Sequence, residues 1–227
     1  MWKELFNIAG NQNLYAQAHE QAVAMLETDW TMFQASIDSL RNSDSGEIEI
    51  DIYAKDKEVN RAERDIRRKI FTHFSVSGGG DLSAGLALAT VVIDIERIGD
   101  YTKNIYDLSR SHPARLFAAS LESRLKTIEE DVTGLFRDMI EAYKNEDLEL
   151  SRKVMQGYKD GLSTTCDAFN EAVVKGEAED LSSADAGAVV LYVHYLKRIA
   201  SHSRTIVSGL VNPFPRIGYK EKQEAEA

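Results

Sequence analysis

Residues 121–142 read LESRLKTIEEDVTGLFRDMIEA, in which Leu121, Leu125, Ile128, Val132, Leu135, Met139 and Ala142 advance by alternating steps of four and three. Residues so spaced share one side of an α-helix, and a seam that holds its register this long is the buried stripe of a helix packed in a bundle. The same pattern extends outward in both directions. Upstream, Leu26, Trp30, Phe33, Ile37 and Leu40 make a first stripe that ends near RNSDSGE (41–47), where Ser and Gly supply turn chemistry. Ile52, Val59, Ile66 and Ile70 mark a second helix, stopped by SVSGGGD (75–81), and a third runs from about Leu82 to LSRSHP (108–113). Downstream of the quoted stretch, NEDLE (145–149) reads as a turn, a fifth helix reaches about Gly176, and a sixth spans about Ser182 to Leu210 before VNPFP (211–215). With only 3 Pro, almost nothing interrupts helix, so the fold class is all-α.

Six helices in two sets of three suggest a duplication. MFQASIDSLRN (32–42) superposes on LFRDMIEAYKN (135–145), matching Phe33 with Phe136, and ERIGDYTKNI (96–105) superposes on KRIASHSRTI (197–206). The two offsets nearly agree, as a tandem repeat of about a hundred residues requires. The expected organisation is a three-helix repeat over 1–111, a second over 112–212, and a frayed tail over 213–227.

Composition narrows the function. The 227 residues are 43% hydrophobic, enough for a sizeable core, and the formal charge of −10 opposes a phosphate backbone, so no nucleic-acid partner is expected. Cys166 is the only cysteine, which excludes an intrachain disulfide and a cysteine-based zinc site and fits a reducing cytoplasm; it reads as a buried thiol. AGLALATVVI (84–93) is too short to span a bilayer, and the start lacks the apolar core of a secretory signal. No H-E-x-x-H, phosphate loop or nucleophile elbow is present, and no Glu stands three residues before any His, which removes the di-iron oxidase motif. His194 and His202 read as solvated or hydrogen-bonded side chains rather than ligands.

One face carries chemistry. Leu88, Val91, Ile95, Ile98 and Ile105 define the apolar stripe of the third helix, and Glu96 and Asp100 lie beside it, one turn apart. On the second helix Asp56, Asn60 and Glu63 follow the edge of a similar stripe. Carboxylates so placed lose hydration and need a counter-charge. Two readings stay open: a hard cation caged by oxygen ligands, or an ion-pair ladder built with Arg61, Arg64, Arg67, Arg68, Lys69, Arg97 and Lys103.

DIERIGDYTKNI (94–105) resembles the signature of the PhoU family, whose repeat carries an E-x-x-x-D pair within an E-R-I-G-D string on its third helix. DKEVNRAERDI (56–66) resembles the acidic segment of that family's preceding helix, with Asp56 and Asn60 at the positions of its second acidic pair. The resemblance implies a non-catalytic cytoplasmic regulator of phosphate uptake that contacts a phosphate transporter subunit and a sensor histidine kinase, and is peripheral to the membrane through these partners only. It implies metal, Fe, Mn, Mg or Zn, at Glu96, Asp100, Asp56 and Asn60, no organic cofactor, and is compatible with a homodimer. The alternative is a metal-binding helical protein with hydrolytic activity. The second repeat departs from the pattern: Lys197 stands where Glu96 stands, Ser201 where Asp100 stands, and Thr164 where Asn60 stands, while Asp160 matches Asp56. There the expectation is an ion pair between Lys197 and Asp160 in place of a metal.

Overall fold

The computed structural model describes residues 12–46, 48–77 and 82–221, and all regular structure among them is helical. Helix α1 spans Gln12–Asn42, α2 Ile52–Ser77, α3 Leu82–Ser111 and α4 Glu122–Asn145. Helix α5 runs as two segments, Leu148–Gly157 and Ser163–Val174, and α6 spans Ser183–Val211. Most of the turn over 75–81 and the last six residues lie outside the described residues.

Local chemistry sets the helix ends. Asp51 accepts a hydrogen bond from the Ala54 amide at the start of α2, Asp147 accepts from Glu149 and Leu150 at the start of α5, and Ser182 accepts from Asp185 at the start of α6. At the end of α4, Glu146 takes a left-handed conformation (φ 52°) so that Asp147 N–H reaches Ala142 O; Gly176 (φ 74°) plays the same part after α5.

Helix α5 is not the continuous helix its periodicity predicts. A π-helical turn, Tyr158–Leu162, joins its two segments, bounded by Gly157 and containing Gly161, the two residues in that stretch with least helical preference. The 213–221 stretch, expected to fray, folds back on α6: Asn212 Nδ2 donates to the carbonyls of Arg216 (3.1 Å) and Tyr219 (2.8 Å), and Gly218 N–H donates to Ser208 Oγ (2.7 Å).

Helices α1–α3 form one bundle and α4–α6 a second, with α3 packed along α6 and α1 against α4. The residues that the repeat makes equivalent meet one another. Phe33 lies edge-on to Phe136 at 5.3 Å, and Tyr101 stacks on its counterpart His202 at 5.7 Å. Self-pairing of equivalent positions is the mark of a twofold relation between the halves. Around that axis Asp94 on α3 accepts from His202 Nδ1 (2.6 Å) on α6, and Arg198 donates to Tyr101 Oη (3.1 Å) and bonds His202 Nε2 (3.0 Å). His202 is thus hydrogen-bonded, and His194 packs edge-on against Tyr101 and Tyr195. Cys166 is buried, and burial pushes its thiol up to about 11.

A buried ion pair bolts the halves together. Arg41, near the end of α1, reaches Glu122 and the Leu116 carbonyl, and its Nε lies 2.7 Å from Glu129 Oε1, while Tyr192 of α6 donates to Glu129 (2.7 Å). Burial opposes the Arg41 charge, yet Glu129 and Glu122 outweigh it and hold the guanidinium above its usual value; burial raises Glu129 despite Arg41. Replacing Arg41 by Met leaves Glu129 without its counter-charge and Glu122 with only Lys126 at 3.8 Å, and should cost about 3–5 kcal/mol. In a denaturant titration, adding Glu129→Leu to Arg41→Met should recover part of that loss.

Candidate functional site

The stripe positions on α3 and α2 are buried as their spacing requires, which brings the polar edges of these helices together against α1. Glu96, Asp100 and Asp56 sit half-buried along this seam, with side chains 19%, 30% and 14% exposed, too dry to leave their charges unpartnered. Lys103 of α3 stands between them. Its Nζ is 2.8 Å from Asp56 Oδ1 and 3.0 Å from Asp100 Oδ1. Burial opposes its charge, and the two carboxylates outweigh that and raise its pKa. Arg97 lies 3.5 Å from Asp100 and 3.8 Å from Glu96, and Arg67 pairs with Glu63 at 2.7 Å. Asn60 turns its amide back on its own helix, donating to the Asp56 carbonyl at 2.9 Å. The ladder is therefore present for Asp56 and Asp100. Glu96 is less well served: burial raises its pKa, with Asp100 adding to the effect.

The residue that spacing overlooked is Asp29 on α1. It is 0% exposed, and neither carboxylate oxygen meets a hydrogen-bond donor. Burial, then Asp56, Glu96 and Asp100, push its pKa well above the ordinary carboxylate range. Its room comes from Gly99, the glycine of the E-R-I-G-D string: a Cβ there would lie 2.8 Å from Asp29 Oδ1. Two signals could have found it. Asp29 falls three residues after Leu26 and four before Phe33, squarely on the buried stripe of α1, and the offset that pairs Phe33 with Phe136 sets Val132 opposite Asp29. By the offset that pairs Glu96 with Lys197, Ala200 stands where Gly99 stands. The second repeat lacks the buried acid, the glycine that admits it and the flanking acidic pair together.

Lys197 does not meet Asp160. It pairs with Asp167 at 2.5 Å, and Asp160, carried out by the π turn, accepts from Gln156 Nε2 at 2.6 Å. The extra residue of the turn rotates Asp160 away from α6 and leaves the next carboxylate of α5 to take the lysine.

Asp29, Asp56, Glu96 and Asp100 thus bring carboxyl groups from three helices into one neighbourhood, with Lys103 bonded to Asp56 and Asp100. Among the described residues no three Asp, Glu, His or Cys side chains already converge at ligand distance. By donor chemistry the set suits a hard cation, because Asp29 has two oxygens without a donor and the place between Asp56 and Asp100 is already held by a positive group, the Lys103 ammonium.

Residues 22–108, the stretch that contains every one of these groups, match the family model of the PhoU domain. The first repeat is thus similar to the PhoU domain. No curated protein matches the chain. Among solved structures, PhoU from Pseudomonas aeruginosa is similar at a TM-score of 0.76, with 18% identity over 87% of this chain and 95% of that one. The phosphate transport system regulatory protein PhoU from Streptococcus pneumoniae is similar at 0.64, with 16% identity over 88% and 93%. The PhoU fold therefore extends through the second bundle, beyond the stretch that the family model matches.

Because a protonated Asp29 is favoured by the folded state, its contribution is present at low pH and lost as pH rises above the ordinary carboxylate range. Asp29→Val, the residue of the second repeat, should raise the unfolding free energy at neutral pH by about 1–3 kcal/mol in chelator-treated protein. It should also flatten the decline on the alkaline side, read as denaturant midpoints across pH.

Proposed function

We propose that this chain is a cytoplasmic regulator of phosphate uptake that works by contact, with a phosphate transporter subunit and with the sensor histidine kinase that reads its state, and without turnover of its own. The observation that carries this reading is the PhoU domain over residues 22–108, in a family whose role is regulatory. The Streptococcus protein of the same fold is described as a phosphate transport system regulatory protein. Among the described residues no helix is long and apolar enough to cross a membrane, so attachment through partners accounts for action on a transporter. Charge supports protein contact over promoter binding, since −10 repels nucleic acid.

Deleting the gene should raise phosphate-responsive expression in phosphate-rich medium, and the tagged protein should retain a transporter subunit or a sensor kinase from solubilised membranes. Unchanged expression and no such partner at either phosphate level would sink the regulatory reading.

The metal reading is a second and separable part of the proposal. A divalent cation, Fe, Mn, Mg or Zn, would be held by Glu96, Asp100 and Asp56, with Asn60 at the edge and Asp29 beneath, in exchange for the Lys103 ammonium. When bound it supplies fixed positive charge that ties α1, α2 and α3 together. The chain's own part is to keep Asp29 dry, through Gly99, and to hold Lys103 as a stand-in cation until exchange. Elemental analysis should find metal in wild type and little in a Glu96→Ala, Asp100→Ala double variant. Lys103→Gln should increase uptake under the exchange reading, and uptake equal to wild type assigns the lysine a purely structural part, whereas as much metal in the double variant as in wild type would sink the metal reading.

A further inference from the structure

The chain is acidic overall, yet one groove concentrates positive charge. It lies between the first segment of α5, helix α6 and the folded-back 213–221 stretch, encloses about 710 Å³, and is lined by Arg152, Lys153, Lys159, Arg204, Lys220 and Glu221 among others. Some of these cations are neutralised in place: Arg152 pairs with Glu149 at 2.7 Å and Glu221 at 2.8 Å, and Lys153 with Asp138 at 3.1 Å. Lys159, Lys220 and Arg204 have no carboxylate partner among the described residues. Lys159, Lys220 and Arg204 line the groove together, and the positive charge of Lys159, with Arg204 adding to it, lowers the Lys220 pKa.

Like charges do not meet by accident of a loose tail here. The stretch that carries Lys220 is fixed by Asn212, itself 2% exposed, through the Arg216 and Tyr219 carbonyls, and by the bond from Gly218 N–H to Ser208 Oγ. Arg204 anchors it further by donating to Gly218 O at 2.5 Å, while its guanidinium lies 5.8 Å from the Tyr158 ring centre. Arg216 donates to the Lys220 carbonyl at 2.9 Å. On the other wall the π turn holds Lys159. Two elements that departed from regular helix thus bring the two lysines to one groove.

We propose that this groove is a binding site for a soluble phosphate-bearing anion, with Lys159 and Lys220 clamping a phosphoryl group and Arg204 beside them. Three cations without a carboxylate partner among the described residues exceed the charge of one carboxylate, whereas a phosphoryl group carries close to two negative charges at neutral pH and an oligophosphate more. Lys and Arg donors suit phosphoryl oxygens, and a concave groove of this volume exceeds what one phosphate fills, leaving space for an oligophosphate or the remainder of an ester.

Equilibrium dialysis of the full chain against labelled pyrophosphate, free of divalent metal and at physiological ionic strength, tests this. One equivalent should bind, and Lys159→Gln and Lys220→Gln should each weaken it by about tenfold or more, the worth of a charge-assisted contact. Lys57→Gln, an exposed lysine on α2, should leave binding unchanged, as should Glu96→Ala with Asp100→Ala, which separates this site from the acidic seam. Competition by inorganic phosphate at equal affinity assigns the site to a single phosphoryl group; weaker competition assigns it to an oligophosphate. Equal binding by every variant, no binding of either probe at millimolar concentration, or retention only on phosphatidylglycerol vesicles would overturn the proposal.

Discussion

The last helix of each repeat is apolar on more than one side, and that single constraint organises the molecule. Helix α3 buries Leu88, Val91, Val92, Ile95 and Ile98, and α6 buries Val189, Tyr192, Val193, Leu196 and Ile199. Neighbouring positions such as 91 and 92, or 192 and 193, point about 100° apart, so a single three-helix bundle covers only part of each surface. The remainder is covered by the other repeat, and α3 lies along α6 because each is what the other lacks. Close approach is part of this contact. A Cβ at Gly209 of α6 would lie 2.8 Å from Val91 Cγ2 of α3, so the glycine lets the two helices seat fully. Once they are paired, Phe33 against Phe136 and Arg41 against Glu122 and Glu129 extend the same junction along α1 and α4.

The two halves that meet at this junction carry different chemistry. The first repeat keeps a buried carboxyl at Asp29, a glycine that admits it, and acidic residues on two further helices. The second repeat has Val132, Ala200, Lys197 and Ser201 in the matching places. These changes compensate one another. A valine needs no donor, and an alanine leaves no room of the kind that Gly99 gives Asp29. That the exchange is collective argues that Asp29, Gly99, Glu96 and Asp100 act as one unit in the first repeat. A buried acid without a donor is costly to the fold, and it is tolerated where the surrounding packing is strong.

The second repeat carries its charge elsewhere. Its π turn and the returning C-terminal stretch gather cations in a groove on the far side of α5, while the seam equivalent to the acidic one is closed by the exposed pair of Lys197 and Asp167. The two halves of one fold thus present opposite electrostatic faces, acidic between α1, α2 and α3 and basic between α5, α6 and the tail.

The sequence by itself determined the helices and their grouping, because a buried stripe must recur every three or four residues and Leu121 to Ala142 leaves no other period open. It also pointed to equivalent positions in the two halves, Phe33 with Phe136 and Tyr101 with His202, which the structure brings into contact, and it marked Glu96 and Asp100 as carboxylates in a dry place. Only the tertiary structure decided how those charges are met. Spacing says which residues share a face of one helix, but Lys103 joins Asp56 to Asp100 across two helices, and Asp29 arrives from a third that carries no acidic motif. The same limit hid the π turn, whose single extra residue sends Asp160 to solvent and Asp167 to Lys197. It hid the returning tail as well, whose polar sequence reads as solvated until Asn212 and Ser208 on α6 capture its backbone. Periodicity reports burial along one helix, whereas the pairing of charges depends on the distance between side chains of different helices, which exists only after the bundles have packed.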